Sequence, residues 1–413
     1  MQKLKRVAAP VLLCVCASCA QASPAVVASE QAAEPAAATA PFAAPEGPFA
    51  VGTHEYLWVD PNRGEPFTKD PNDKRHLLAR IWYPAEKTGA APAHYVLDAN
   101  EFPHGSVFRQ AASVKTNAVT DAPIARGTER FPVLVYQPGA GMARFVGTFV
   151  AEQLASHGYV VLAADHPSPA LYGAPPGAEL FPDGYRFKAD TLTPPQLGDD
   201  LRQFAFAQWD WLDEQLLPEW QRDAVYTLDK IEELERSAGQ MFHQRLDTSR
   251  IGIVGWSFGG SLSVQMSRDD PRVKAAVYQD GMLFGDVRDK GTTRPFMLML
   301  NNTPPPPPKP DDPDQQALQR ELLATIQGWH EALMQKSTGD GYTLTIAGTD
   351  HLNFSDLPLL LPANPKLIEP RRAHQIITAY TLAFFDKYLR GKESELLKGP
   401  SSAYPEVTFV KKE

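Results

Sequence analysis

Short apolar runs alternate with helical patterns through most of this chain. The runs that predict buried strands are FPVLVYQ (131–137), VVLAAD (160–165), IGIVG (251–255), VKAAVYQD (273–280), PFMLMLNN (295–302) and YTLTIAG (342–348). Helical patterns lie over 144–158, in a long section over 196–248, and over 371–391. We expect the helix over 371–391 to be the last structural element of the chain. Strands that are apolar throughout and alternate with helices predict a mostly parallel sheet with helices on both faces.

Two further runs near the N-terminus predict an antiparallel hairpin. HEYLWVD (54–60) and LLARIWYP (77–84) flank a stretch rich in turn residues (61–75). Strand-like runs on either side of such a stretch are typical of a hairpin. The repeated DPN in this stretch is explained by turn chemistry, because its spacing matches no calcium loop. We expect the hairpin to form the antiparallel edge of the sheet.

The first 48 residues differ in composition from the rest. Residues 1–22 predict a signal peptide, with a basic start, an apolar run too short to span a bilayer, and the small-residue cleavage sequence AQA. Residues 23–48 are rich in alanine and proline, which predicts a flexible linker. We therefore expect one folded domain over 49–413.

This leader predicts a periplasmic or secreted protein. All three cysteines, Cys14, Cys16 and Cys19, lie in the signal segment, so the mature chain would have no disulfide bond. The alternative is a lipoprotein signal with acylation at Cys19, which would anchor the protein to a membrane. An apolar lip near Leu359, in LPLLLP (357–362), is a second candidate for membrane contact, although we expect this run to be buried.

Composition excludes one class of partner. The chain has 413 residues and is 43% hydrophobic, which is enough for a large core. Its formal net charge is −9, and its body contains no cluster of lysine and arginine. Binding to nucleic acid needs a basic face, so we expect no nucleic-acid partner.

The strand 251–255 leads directly into a serine between glycines. Gly255-Trp256-Ser257-Phe258-Gly259 is followed by the helical pattern GGSLSVQMSR (259–268). Gly-x-Ser-x-Gly between a strand and a helix predicts a nucleophile elbow, a sharp turn that exposes the serine hydroxyl above the sheet. The simpler alternative is a glycine-rich turn of ordinary α/β packing.

A serine hydroxyl needs a base to take its proton. His351 follows the last predicted parallel strand, in IAGTDHLNFSD (346–356). Loops that follow parallel strands meet at the carboxyl edge of the sheet, so His351 is the predicted base. A loop histidine with only a structural hydrogen bond is the alternative.

The base needs an anion to hold its tautomer. Asp280 ends the strand after the serine, which gives the order Ser257, Asp280, His351 along the chain. Asp350 is next to His351 in sequence, which makes pairing of the side chains awkward. Asp311 and Asp312 lie beyond a proline run and are the acids to consider if Asp280 is not used.

The remaining parts of the site are predicted from position. Backbone N–H groups of Phe258, directly after the serine, and of Ala140, in QPGAGMAR (137–144), would form the oxyanion hole. Apolar residues beside the triad predict a substrate pocket, with core filling as the alternative for each: Trp256, Met282, Leu283, Leu352 and Phe354. The helical section 167–248 is a candidate lid.

At these residues the chain resembles the α/β-hydrolase superfamily, and more narrowly the plasma-type platelet-activating-factor acetylhydrolases and the dienelactone-hydrolase-like bacterial esterases. The stretches that carry the resemblance are LLARIWYPA (77–85), FPVLVYQPGAG (131–141), QLASHGYVVLAADH (153–166), LDTSRIGIVGWSFGGS (246–261), VYQDGM (277–282) and GTDHLNFSD (348–356). The resemblance implies the α/β-hydrolase fold, with an antiparallel N-terminal hairpin and a helical insertion before the nucleophile strand. It also implies an acid after the strand that follows the nucleophile, which supports Asp280.

The resemblance implies hydrolysis of carboxylic esters, either with short acyl chains or lipid-like, without a metal or other cofactor. Pro138 and Trp256 stand where that group often has histidine, and both positions bear on the shape of the pocket. Two alternatives stay open. One is an amidase or peptidase that uses the same triad, and the other is a catalytically silent envelope binding protein of the same fold.

Overall fold

The computed structural model describes residues 41–102, 106–127, 130–168, 200–303 and 312–412, together with Ala178–Glu179, Arg186–Phe187 and Pro195. The predicted signal peptide, most of the predicted linker, and Cys19 lie outside the described residues.

Twelve strands lie in the described part of the chain. They are β1 (Ala50–Gly64), β2 (Lys74–Ala85), β3 (Val119–Thr120), β4 (Phe131–Gln137), β5 (Val160–Ala164), β6 (Ala178–Glu179), β7 (Arg186–Phe187), β8 (Leu246–Trp256), β9 (Val273–Gln279), β10 (Phe296–Asn301), β11 (Gly341–Ile346) and β12 (Val407–Lys411). All of them except β6 and β7, which pair only with each other, belong to one sheet.

The sheet has the order β12-β11-β10-β9-β8-β4-β5-β2-β1-β3. Its centre, from β5 to β11, is parallel throughout. The hairpin of β1 and β2 joins one side of this centre through an antiparallel pairing of β2 with β5. The predicted parallel sheet and N-terminal hairpin are therefore confirmed.

The helices of the described residues are α1 (Val107–Gln110), α2 (Thr148–Ser156), α3 (Leu201–Trp211), α4 (Leu217–Arg236), α5 (Phe258–Asp269), α6 (Val287–Lys290), α7 (Pro313–Lys336), α8 (Leu357–Leu360) and α9 (Pro370–Arg390). A π-helical turn, Leu212–Leu216, joins α3 to α4. The ends follow local chemistry: Pro370 stands at the start of α9, and Gly391 ends it with a φ of 68°.

Helices cover both faces of the parallel centre. On β8, a Cβ at Gly252 would meet the Phe385 ring of α9, whereas a Cβ at Gly255 would meet the start of α5. Positions an odd number of residues apart on a strand face opposite sides, so α9 and α5 lie on opposite faces of the sheet. The strands between them are almost completely buried and form the core.

Two predicted boundaries are wrong. The helical section was expected to run to residue 248, but α4 ends at Arg236, and β8 begins at Leu246, where Leu246 pairs with Phe131. The chain also does not end in α9, because β12 pairs antiparallel with β11 at the edge of the sheet. Both errors concern short strand segments whose pairing depends on a neighbouring strand rather than on local sequence.

Residues 41–48 pack against the domain, although their composition places them in the linker. Phe42 is buried against Tyr95, with ring centroids 5.4 Å apart. The N–H of Gly47 donates to the Ser156 hydroxyl of α2, and the carbonyl of Ala43 accepts from the Asn117 side chain. The folded domain therefore includes these residues.

Candidate active site

Ser257 occupies a sharp turn between β8 and α5. Its φ of 59° and ψ of −125° are sparsely populated for a residue with a side chain. Its N–H donates to the carbonyls of Gln279 and Asp280, both at 2.9 Å. The glycines on either side are needed for close packing, since a Cβ at Gly259 would lie 2.2 Å from the carbonyl oxygen of Gln137. The geometry is that of the predicted elbow.

The structure brings the three predicted side chains into one chain of hydrogen bonds. His351 Nε2 lies 3.1 Å from Ser257 Oγ, and His351 Nδ1 lies 2.6 Å from Asp280 Oδ2. Nδ1 faces a carboxylate, which can only accept, so a neutral ring presents the lone pair of Nε2 to the serine hydroxyl. That arrangement lets the imidazole take the serine proton.

The Asp280 carboxylate is buried and fully supported. The backbone N–H of Asn301 and its side-chain amide both donate to this carboxylate at 2.9 Å. Burial by itself would raise the pKa of Asp280, but the hydrogen bonds from His351 and Asn301 hold that pKa below its ordinary value. The carboxyl is therefore ionised at neutral pH. Sequence reasoning missed Asn301 as a donor to this carboxylate.

The loop of His351 is held by its own neighbours. Asp350 accepts hydrogen bonds from the N–H groups of Leu352 and Asn353, and Asn353 accepts from the N–H of Asp350. This reciprocal cap forms the 3₁₀ turn His351–Phe354 and uses Asp350 as a structural group. In addition, the indole N–H of Trp256 donates to the His351 carbonyl at 2.9 Å.

The two predicted oxyanion donors lie beside the serine. A Cβ at Gly139 would be 3.2 Å from the Cβ of Ser257, so the loop carrying Ala140 packs against the elbow. Phe258 is the first residue of α5, where helical N–H groups have no partner inside the helix. Among the described residues, neither the N–H of Ala140 nor that of Phe258 has a hydrogen-bond acceptor.

The predicted pocket requires a correction. Trp256, Leu283 and Phe354 have no exposed surface, so they fill the core and do not line an open pocket. Leu283 packs in a separate small cluster with Val264 and Tyr278. Of the remaining two, Met282 is 7% exposed and Leu352 is partly buried.

An aromatic row that sequence reasoning missed passes next to the serine. We use this name for Trp220, Phe258, Phe284, Trp329 and Trp209. Neighbouring rings in the row have centroids 4.9, 5.6, 6.0 and 5.0 Å apart. The row joins helices α3, α4, α5 and α7, so its members come together only through tertiary packing.

Other candidate sites are separate from this one. A cavity of about 410 Å³ opens between α2 and α9, and none of the triad residues lines it. Within the described residues, no three His, Cys, Asp or Glu side chains are grouped in a way that could hold a metal ion. In the same part of the chain, every helix is too short or too polar to cross a bilayer.

The doubly covered parallel sheet, with a serine at a strand-to-helix elbow, defines an enzyme of the α/β-hydrolase fold. A sequence profile of the platelet-activating factor acetylhydrolase, isoform II, family matches residues 36–170 and 234–399, more than half of the chain. The protein belongs to that family.

Relatives agree with this assignment. A ferulic acid esterase from Streptomyces cinnamoneus has a similar structure, with a TM-score of 0.67 over 89% of this chain and 98% of its own, at 30% identity. A probable 1-alkyl-2-acetylglycerophosphocholine esterase from Arthroderma benhamiae is 26% identical over 74% of this chain and 72% of its own. A platelet-activating factor acetylhydrolase from Cavia porcellus is 24% identical over 58% of this chain and 55% of its own. The protein is accordingly a carboxylic ester hydrolase.

Proposed function

We propose that this protein is an exported serine hydrolase that cleaves short-chain or lipid-like carboxylic esters through Ser257, His351 and Asp280. The observation that carries the proposal is the continuous hydrogen-bond chain from Ser257 Oγ through His351 to Asp280, set at an elbow beside two unpaired N–H groups. Two relatives, one named as a probable 1-alkyl-2-acetylglycerophosphocholine esterase and the other as a platelet-activating factor acetylhydrolase, support the lipid-like class.

The reaction follows from these positions. Ser257 Oγ attacks the ester carbonyl carbon while His351 Nε2 takes the hydroxyl proton, and the N–H groups of Phe258 and Ala140 receive the developing oxyanion. The C–O bond to the alcohol breaks, and the alcohol leaves with the proton from His351. Water then attacks the acyl-enzyme with His351 as base, which releases the acid and restores the serine.

A second candidate substrate class is an ester of an aromatic acid. The aromatic row includes Phe258, adjacent to the proposed nucleophile, although four of its five rings are almost completely buried and Trp329 is the one that is partly exposed. Two of its members, Trp209 and Trp220, lie between the two stretches matched by the family profile. The similar structure is also that of a ferulic acid esterase, at 30% identity.

The support for export comes from the sequence of the leader alone. The signal peptide 1–22 supports a periplasmic or secreted location, with a lipid anchor at Cys19 as the alternative. In the apolar run near Leu359, Leu357 is fully buried, and Leu359 to Leu361 are partly buried and packed on the core. The run therefore offers little free apolar surface for a membrane.

The test is hydrolysis of p-nitrophenyl esters from acetate to decanoate, of methyl ferulate, and of the matching anilides. We expect ester cleavage and labelling by a fluorophosphonate probe, both abolished in Ser257→Ala. Ser249→Ala, at an exposed serine in β8, is the matched control and should keep full activity. Cleavage of anilides alone would indicate the amidase alternative, and a folded protein with no activity or labelling would indicate the silent binder.

A further inference from the structure

The loop that carries Ala140 is short and is held at both ends. We call residues 138–143 the oxyanion loop; Gln137 precedes it at the end of β4, and Arg144 follows it. Both flanking residues are almost completely buried. Their side chains meet consecutive residues, Asp165 and His166, directly after β5. That dipeptide is not used in the proposed mechanism.

His166 contacts the near end of the loop. Its Nε2 lies 2.7 Å from Oε1 of the Gln137 side chain, and both side chains are buried. The backbone of Gln137 in turn packs on the elbow, since its carbonyl oxygen occupies the space beside Gly259. A displacement of Gln137 would therefore move both the start of the oxyanion loop and the N-terminus of α5.

The other side of the His166 ring is equally constrained. Nδ1 lies 3.0 Å from Asp223 Oδ2, and Asp223 is paired at 2.6 Å with the buried guanidinium of Arg75. Burial lowers the pKa of His166 even though Asp223 opposes this, so the ring is neutral at neutral pH. Nδ1 of the neutral ring donates to the carboxylate, so Nε2 carries a lone pair and can only accept. A carbonyl oxygen cannot donate to it, but a rotation of the Gln137 amide by 180° exchanges the oxygen with the NH₂ group, which then donates to Nε2.

His166 also reaches the second oxyanion donor through ring stacking. Its ring lies parallel to the indole of Trp220, with centroids 4.2 Å apart. The Trp220 ring meets the Phe258 ring edge to face at 4.9 Å, and the N–H of Phe258 is the other proposed donor. One buried histidine therefore packs toward both halves of the oxyanion hole.

Asp165 holds the far end of the loop. Its Oδ1 accepts the backbone N–H of Arg144, and its Oδ2 pairs with the Arg144 guanidinium at 2.8 Å. Asp165 is itself fixed to β2, because its N–H donates to the carbonyl of Leu78. The same guanidinium pairs with Glu55 and Glu101, so the Arg144 side chain cannot shift without breaking several buried ion pairs.

We propose that Asp165 and His166 are positioning residues that clamp the two ends of the oxyanion loop and so set the place of the Ala140 N–H relative to Ser257. This inference rests on the proposed function. Neither side chain reaches the reacting atoms, so both act through Gln137, Arg144 and Trp220. Oxyanion donors stabilise charge that exists only in the transition state. Loosening the clamp should therefore lower kcat and leave KM nearly unchanged.

The experiment compares Asp165→Asn, His166→Phe and Gln137→Met with wild type on the best ester, with kcat expressed per Ser257 titrated by fluorophosphonate. Phenylalanine keeps the stack on Trp220 and removes both ring hydrogen bonds. We expect kcat to fall about 10- to 100-fold, which is at most the decrease in kcat that follows removal of a whole oxyanion donor. KM should stay within about twofold of the wild-type value. Affinity for a trifluoromethyl ketone, which forms a tetrahedral oxyanion on the serine, should fall by the same factor as kcat/KM.

Coupling provides a second readout. If His166 acts through Gln137, the double variant His166→Phe/Gln137→Met should be no worse than the more impaired single variant. Gln137→Met leaves the Arg75–Asp223 pair intact, so it tests the clamp even if His166→Phe fails to fold.

Matched controls separate positioning from general packing. Glu152 is a buried carboxylate that accepts backbone N–H groups of Asn117 and Ala118, and His374 is a buried histidine stacked on Phe149. Glu152→Gln and His374→Phe should lower stability without the selective loss of kcat. If the clamp variants keep wild-type kcat, or behave like these controls, the inference is wrong while the proposed function stands. If the wild-type protein cleaves no ester, both the inference and the proposed function are wrong.

Discussion

The indole N–H of Trp256 donates a 2.9 Å hydrogen bond to the backbone carbonyl of His351. Trp256 immediately precedes the proposed nucleophile, so this bond ties the elbow to the loop of the proposed base. The two rings are also in contact, with centroids 5.1 Å apart. The same indole occupies the space beside Gly139, where a Cβ would lie 3.1 Å from its ring. One buried side chain therefore sets the spacing between three parts of the site.

Trp256→Phe should lower kcat by about fivefold. Phenylalanine keeps an aromatic ring but removes the donor, and a single hydrogen bond contributes about 1 kcal/mol, which corresponds to about fivefold in rate. Steady-state kinetics on the best ester would measure the change. Trp82→Phe, at an equally buried tryptophan of β2, should reduce only stability. Unchanged kcat in Trp256→Phe would show that the indole only fills space.

Asp280→Asn should lower kcat by about 10⁴-fold, as in other triads, because an amide no longer holds the correct His351 tautomer. Asn301→Ala should have a smaller effect, of about tenfold, since it removes one donor to the carboxylate and leaves the backbone N–H in place. Asn302→Ala is the neighbouring control. Its side chain accepts from the Gly348 N–H and does not contact Asp280. Near-normal turnover in Asp280→Asn would redirect the search for the acid to Asp311 or Asp312.

Gly281→Ala should inactivate the enzyme. Gly281 has a φ of +125°, and a Cβ there would lie 3.0 Å from Ser257 Cα and 3.6 Å from the His351 ring. Gly127 is a close match in conformation, with a φ of +124° and open space around it. Alanine at either position should cost about 1–3 kcal/mol of stability from backbone strain. Only Gly281→Ala should lose activity, and equal activities in the two variants would contradict this.

Phe42→Ala should lower the free energy of unfolding by about 3–5 kcal/mol, the usual cost of deleting a buried aromatic side chain. Phe42 is 3% exposed and packs on Tyr95. A protein that starts at residue 41 should accordingly unfold at a higher temperature than one that starts at residue 49. Calorimetry of the two truncated forms would measure the difference. Identical unfolding temperatures for the two forms would show that residues 41–48 belong to the linker.

Acid should destabilise the fold through buried neutral histidines. Burial lowers the pKa of His374 from its ordinary value of 6.5 to about 4. The unfolded chain takes up this proton below pH 6.5, whereas the folded chain does so only near pH 4. Stability is therefore full above pH 6.5 and falls as the pH drops toward 4. His374→Phe should flatten the dependence of unfolding free energy on pH in that window by up to about 1.4 kcal/mol per pH unit. Urea unfolding between pH 4 and 7 would measure it, and an unchanged slope would contradict the assignment.

Periodicity was sufficient for the central architecture. The six parallel strands at the centre of the sheet are long apolar runs, and a strand buried on both faces leaves a local signal that needs no partner to be recognised. The elbow was equally visible, because Gly255, Ser257 and Gly259 satisfy a steric requirement of one turn. The edge strand β12 was missed, since its half-exposed residues carry a weak pattern and pair only because β11 lies beside them.

For the site, the elbow motif and the positions directly after predicted strands were enough to propose Ser257, Asp280 and His351, which the structure brings within hydrogen-bond distance. It was not enough for the pocket. Trp256, Leu283 and Phe354 are apolar and adjacent to the triad, yet they face the core, and adjacency in sequence does not determine the direction of a side chain.

The sequence by itself determined the parallel sheet, the elbow and the three residues at its carboxyl edge, because each of these leaves a local pattern of polarity or a steric demand for glycine. The tertiary structure alone decided which groups support them. Asn301 on Asp280, Trp256 on His351, and Asp165 and His166 at the ends of the oxyanion loop all act across strands or loops that are distant in sequence. A hydrogen bond between such groups depends on where the packed sheet and helices bring them, and no local pattern encodes that position.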